Sequence, residues 1–105
     1  MTDKLFETYR IADRTAPNRF AAQAMEINSS GPGGAAGNTV INRYNSLAEG
    51  GWGIVFLEAT SITDRHLARP NCLVLSRENL DGFKRLVDSF KSISNGSLLI
   101  VQLTH

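Results

Sequence analysis

Cysteine is almost absent: Cys72 stands alone in 105 residues. One cysteine forms no internal disulfide and cannot build a zinc site without several other ligands, and only His66 and His105 are there to join it. A metal site is therefore not expected. Charge of one sign is also lacking. Eleven Lys and Arg face ten Asp and Glu, a net charge of +1 that marks no nucleic-acid partner and no anionic membrane surface. No window approaches the ~20 apolar residues of a membrane span. Residues 1–10 mix Asp3, Lys4, Glu7 and Arg10 with short apolar pairs, unlike a signal peptide. A reduced, cytoplasmic setting is the expectation. The balance of 42% hydrophobic and 20% charged residues suits a globular chain rather than a disordered one.

Two uninterrupted apolar runs are present. Gly53–Ala59 contains Ile54, Val55, Phe56 and Leu57; Ser97–Leu103 contains Leu98, Leu99, Ile100, Val101 and Leu103. Neither alternates with polar residues, the pattern of strands covered on both faces, as in a parallel sheet. Phe20–Met25 reads as a further strand, preceded by a hairpin over 8–18 that turns near Asp13 and Arg14. Val40, Tyr44, Leu47 and Ala48 lie on one face of a helix, with Asn38 or Thr39 as cap and Gly50-Gly51 as its end. Leu80, Phe83, Leu86, Val87, Phe90 and Ile93 form a second stripe, with Ser76 as N-cap and Asn95-Gly96 closing the helix. Ser29–Gly37 and Ser61–Leu75 read as loops.

Strand, helix, strand, helix, strand implies right-handed crossovers and a parallel α/β sheet. The βα units start near 20, 53 and 97. Eight at that spacing need roughly 310 residues, in the range of a (β/α)8 barrel with insertions. The expected fold is thus the first three strands and two helices of a TIM-type barrel, incomplete as it stands, with 1–105 as one fragment. A three-stranded sheet with an uncovered last strand is a poor finished domain.

Three blocks carry a resemblance. The first is Leu5-Phe6-Glu7, Asn18-Arg19-Phe20 and Met25. The second is Arg43-Tyr44, Leu47-Ala48-Glu49-Gly50-Gly51, Gly53 and Glu58-Ala59-Thr60. The third is Leu80, Lys84-Arg85-Leu86-Val87 and Val101-Gln102-Leu103 with His105. In order and spacing the chain resembles the N-terminal portion of the Old Yellow Enzyme family of NADH:flavin oxidoreductases. The resemblance implies a barrel with FMN at the C-terminal strand ends, NADH or NADPH as electron donor, and reduction of activated C=C bonds in enone- or enoate-type small molecules. It implies flavin contacts at Ala24, Met25, Glu26, Ala59 and Gln102. Small residues let backbone approach the isoalloxazine ring, and a Gln amide both donates to and accepts from its pyrimidine edge. Asn28 and His105 fall in the active-site vicinity, His105 as a site residue or one that orients a loop.

Ala24 replaces the family's usual Pro, and Glu26 its usual Thr or Cys. A carboxylate there would disfavour a reduced, anionic flavin unless it is turned away or protonated. The family's substrate-orienting and proton-donating residues come from later strands, so the stretch alone is expected to be inactive, with the remainder of the barrel or a second chain as its partner. A homo-oligomer is left open.

Two other readings compete. One is a non-catalytic βα fragment or split-barrel chain that associates through open edges. The other takes Gly31-x-Gly33-x-x-Ala36 as a dinucleotide fingerprint, with Glu58 about 22 residues later as the ribose acid. Against it, the glycines lie far past the strand and Pro32 removes a backbone N–H from the loop. A plain connecting loop is preferred. His66 and Arg69 read as solvated loop charges, Cys72 as an ordinary loop thiol and Arg19 as structural.

Overall fold

A computed structural model describes residues 2–105. After a short 3-10 turn over Thr2–Phe6, strands β1 (Tyr9–Ile11) and β2 (Arg14–Ala16) form an antiparallel hairpin with Tyr9 opposite Ala16. The turn is made by Ala12, in the left-handed region at φ 54°, and Asp13. Arg19 anchors the hairpin, its guanidinium 5.2 Å from the centre of the Tyr9 ring and 3.8 Å from Glu7 Oε2.

A four-stranded sheet of parallel pairs follows: β3 (Ala21–Ala22), β4 (Ile54–Ser61), β5 (Leu73–Val74) and β6 (Leu98–Thr104). β4 is central. β6 pairs with it along its whole length, from Ile54↔Leu98 to Ser61↔Thr104. β3 pairs with the start of β4 at Ile54 and Val55, and β5 with its end at Thr60 and Ser61. A strand has two edges, and β6 occupies one, so β3 and β5 share the other.

Helices α1 (Asn38–Glu49) and α2 (Leu80–Ile93) supply the cover. Val40, Tyr44 and Ala48 from α1 and Phe83, Leu86 and Phe90 from α2 meet Ala22, Val55, Leu57 and Leu73 in one core, with Leu99 packed against it. The opposite face of the sheet, with Ile54, Phe56 and Ile100, is only half-buried, and the sheet does not close. This is the expected α/β segment with parallel strands and two helices, with four differences in detail.

The strand expected over Phe20–Met25 shrinks to Ala21–Ala22, the two residues registered with Ile54 and Val55 of β4. β5 itself lies inside the stretch read as loop. The first helix is capped by Gly37 rather than by Asn38 or Thr39, and the second starts after Asn79 rather than Ser76. Asn79 does not cap its own helix. Its side-chain amide donates to the carbonyls of Gly33 (3.0 Å) and Val74 (2.9 Å), tying the glycine loop and β5 to the head of α2. No helix among the described residues is long and apolar enough to cross a membrane.

Candidate functional site

Parallel pairing brings the C-terminal ends of the strands to one edge of the sheet. The segment 24–28 leaves β3 there, Ala59–Ser61 end β4, and Gln102–Thr104 end β6, with His105 next. The pairing of β4 with β6 contains an irregularity. Leu57 pairs with Val101, but the next pair is Ala59 with Gln102, so Glu58 is an extra residue on β4. Strand side chains alternate between faces, and an inserted residue shifts that alternation by one. Val55 and Leu57 face the helices, and Glu58 joins them there. Alternation then assigns Ala59 to the face away from the helices, where it is itself buried and pairs in register with exposed Gln102.

Glu58 is fully buried. Its backbone N–H donates to the Tyr44 hydroxyl at 2.8 Å, and that hydroxyl donates to Glu58 Oε1 at 3.0 Å. Thr60 Oγ1 donates to the Glu58 carbonyl at 2.8 Å. Glu58 Oε2 and Arg43 Nε are buried without hydrogen-bond partners. Burial pushes the Glu58 carboxyl above the ordinary carboxylate range and the Glu26 charge adds to this, while the Tyr44 hydroxyl, the Ile27 N–H and Arg43 pull it back. Burial also pushes the Tyr44 phenol up.

Between the ordinary carboxylate value and the raised one, the folded chain holds the Glu58 proton more tightly than the unfolded chain does. This contribution is complete below that window and is lost as pH rises through it. Urea midpoints measured across mildly acidic pH should therefore fall as pH rises, and Glu58→Gln should flatten the slope. An unchanged slope in the variant would assign the effect to other groups.

The segment after β3 is tied to the loop after β4. Asn28 adopts a left-handed φ of 52°, and its Oδ1 accepts the Asn71 N–H at 2.9 Å. The Ser30 N–H donates to the Asn71 carbonyl at 3.1 Å. Arg69 Nε stands 3.4 Å from Glu26 Oε2, an ion pair without hydrogen-bond alignment. Sequence reasoning missed this role for Arg69; its only trace was the need of Glu26 for a counter-charge. Met25 is 59% exposed, while Ala24 is half-buried. The structure thus brings Ala59 and Gln102 into contact register and delivers Ala24, Met25 and Glu26 to the same edge. His105 and His66 are exposed.

Two readings of the sequence are corrected. Cys72 is not an ordinary loop thiol: it is buried, within 3.5 Å of the Ala59 carbonyl and 3.3 Å of that of Leu73. Glu58 cannot be a ribose acid, since its carboxylate is enclosed and engaged by Tyr44. The Gly31–Ala36 stretch forms a short 3-10 turn packed on β5, not a turn that leads directly from a strand. No group of three or more metal-ligating side chains occurs among the described residues.

No protein-family model matches the sequence. Over 104 residues the chain is 32% identical to an NADPH dehydrogenase of Listeria welshimeri, spanning 97% of this chain and 30% of that one. It is 29% identical over 103 residues to an NADPH dehydrogenase of Clostridium acetobutylicum, with the same coverage. The NADH-dependent flavin oxidoreductase iliE of Hypocrea jecorina is 30% identical over 94 residues, which are 87% of this chain and 23% of that one. The chain therefore spans less than a third of these relatives. Among solved structures, a 2-naphthoyl-CoA reductase in complex with 2-naphthoyl-CoA superposes at a TM-score of 0.92 with 22% identity, over 100% of this chain and 16% of that one. A homologue from Zymomonas mobilis superposes at 0.83 with 20% identity, covering 97% and 28%. At such identities these structures establish the fold.

Proposed function

We propose, from the premise that this chain is a distant homologue of the N-terminal portion of the Old Yellow Enzyme and NADPH dehydrogenase family, that it forms the first flavin-facing part of an FMN-dependent NAD(P)H oxidoreductase acting on activated C=C bonds. One observation carries the reading: buried Ala59 and exposed Gln102 pair in register at the C-terminal strand ends. In a barrel of parallel strands that is the end where reactive groups gather.

The residues fit a planar group rimmed by amide-like atoms. The Gln102 amide is exposed and supplies a donor and an acceptor together. Ala59 leaves no bulk beside it. Ala24 and Met25 offer backbone at the same edge, and Arg69 offsets the Glu26 charge. Bound there, FMN would supply hydride chemistry between NADH or NADPH and the C=C substrate. This chain's own residues would orient it; the groups that bind substrate and deliver a proton would come from the remainder of the barrel.

A chimera tests this, with the corresponding remainder of the Listeria relative appended after His105. The expected product purifies yellow and reduces an enone with NADPH. Gln102→Leu lowers its FMN affinity about tenfold or more, the loss of a paired amide in a desolvated site. The isolated 105-residue chain retains no FMN through gel filtration. A folded but colourless chimera overturns the reading and favours a non-catalytic, associating βα chain.

A further inference from the structure

The buried Tyr44–Glu58 pair looks wasteful as a stabilising device. It encloses a carboxylate against Tyr44 of α1, leaves Oε2 without a partner, and occupies the core face of β4, where an apolar residue would pack without that cost. What it does accomplish is geometric. Glu58 is the extra residue of the β4 bulge, and the Tyr44 hydroxyl holds both its N–H and its carboxylate. Without the bulge, regular alternation would continue past Leu57. Glu58 would then face Gln102 across the open face, and Ala59 would turn towards the helices.

We propose that Tyr44 and Glu58 are positioning residues: the pair holds the β4 bulge in place, so that Ala59 rather than a carboxylate stands beside Gln102 at the edge where flavin would bind. The control of register stands on the geometry alone, and its consequence for flavin rests on the function proposed above. The driving force is explicit. If the hydroxyl is removed, a buried N–H and a buried carboxylate oxygen lose their partner. A slip of one residue beyond Leu57 relieves both by carrying Glu58 to the open face, where water reaches it. Arg43 and Glu26 are the other charged groups beside Glu58, and neither hydrogen-bonds it.

The test uses the 105-residue chain itself, without ligand. In the parent chain, the backbone protons of Ala59 and Gln102 should show a nuclear Overhauser contact. Tyr44→Phe keeps the ring in the core and removes only the hydroxyl; it should lose that contact and replace it with one from position 58. Glu58→Ala, which removes the anchored group, should weaken it. Glu58→Gln still accepts from the hydroxyl and should retain it, a rescue that mere volume filling does not predict. Thermal melts verify that each variant is folded. An Ala59–Gln102 contact that persists in folded Tyr44→Phe and Glu58→Ala overturns the proposal.

The same variants in the chimera address flavin separately. Tyr44→Phe should weaken FMN binding about tenfold, while Glu58→Gln stays near the parent value. A register lost with FMN affinity unchanged overturns the positioning role towards flavin. A colourless parent chimera refutes the functional reading instead, and leaves the register measurement to decide the rest.

Discussion

Gly53→Ala should unfold the chain or come close to it, with a loss of about 3 kcal/mol or more, at the upper end of overpacking costs. Gly53 sits where three strands begin. Its N–H donates to the Phe20 carbonyl at 3.0 Å, and its carbonyl accepts the Leu98 N–H at 2.9 Å. A Cβ here would strike the Asn18 backbone carbonyl oxygen, with the carbonyl carbon at 2.8 Å and Asn18 Oδ1 at 2.7 Å. Asn18 has little freedom to yield. Its Oδ1 accepts the Phe20 N–H at 3.0 Å, and its Nδ2 donates to the Gly51 carbonyl at 2.7 Å. The methyl group therefore pushes on fixed backbone rather than on a mobile side chain.

Relief requires β3 to move away from β4, and β3 holds only two registered pairs, Ala21↔Ile54 and Ala22↔Val55. The damage should thus spread to segment 24–28, which β3 delivers to the C-terminal edge of the sheet. Urea unfolding followed by circular dichroism would show the lost stability. A midpoint within experimental error of the parent would mean that β3 is not docked on β4 in solution.

The parts of the fold legible in the sequence are those with a period. The apolar runs at Ile54–Leu57 and Leu98–Val101 and the helical stripes through Tyr44 and Leu86 each repeat one signal often enough to identify an element and its type. β3 and β5 lacked that repetition. Each has two residues, and each exists because β4 offers an open edge. The run Cys72–Leu75 was the only local trace of β5, and its place within a polar stretch hid it. The caps were misread for a related reason. Asn79 has cap chemistry, yet its amide is taken by Gly33 and Val74, so tertiary partners decide where the helix begins.

The site was legible in composition but not in geometry. Gln102 and Ala59 stood out through the resemblance. The bulge that aligns them was hidden because a strand covered on both faces shows no alternation whose break could be seen. Glu58, a charge inside an apolar run, was its one visible sign, and the dinucleotide reading gave that sign a different meaning. Arg69 lies 43 positions from Glu26, and no local pattern links them. Only the fold of the loop after β4, pinned by Asn28 and Asn71, brings the two together.

Phe90→Ala carries the other large expected effect, a loss of about 3–5 kcal/mol. Phe90 is fully buried, and with Phe83 and Leu86 it makes the face that α2 presents to α1 and the sheet. The cavity cannot be filled cheaply from the sheet side, where Val55 is paired with both Ala22 and Leu99, and Leu57 with Val101. Nor does α1 have slack, since Tyr44 is tethered to Glu58 and Ser89 of α2 donates to Asn45 of α1 at 2.9 Å. Domains of this size hold only about 5–15 kcal/mol in total, and here one face of the sheet contributes little burial. The variant should therefore be largely unfolded at moderate temperature. Ile93→Ala, on the same helix but 38% exposed, should stay within about 0.5 kcal/mol of the parent. Paired urea titrations, with equal slopes verified first, separate the two. Equal midpoints for the two variants would mean that α2 is not packed as described. The helix cover over Tyr44 and Glu58, and with it the alignment of Ala59 with Gln102, would then have to be held by other contacts.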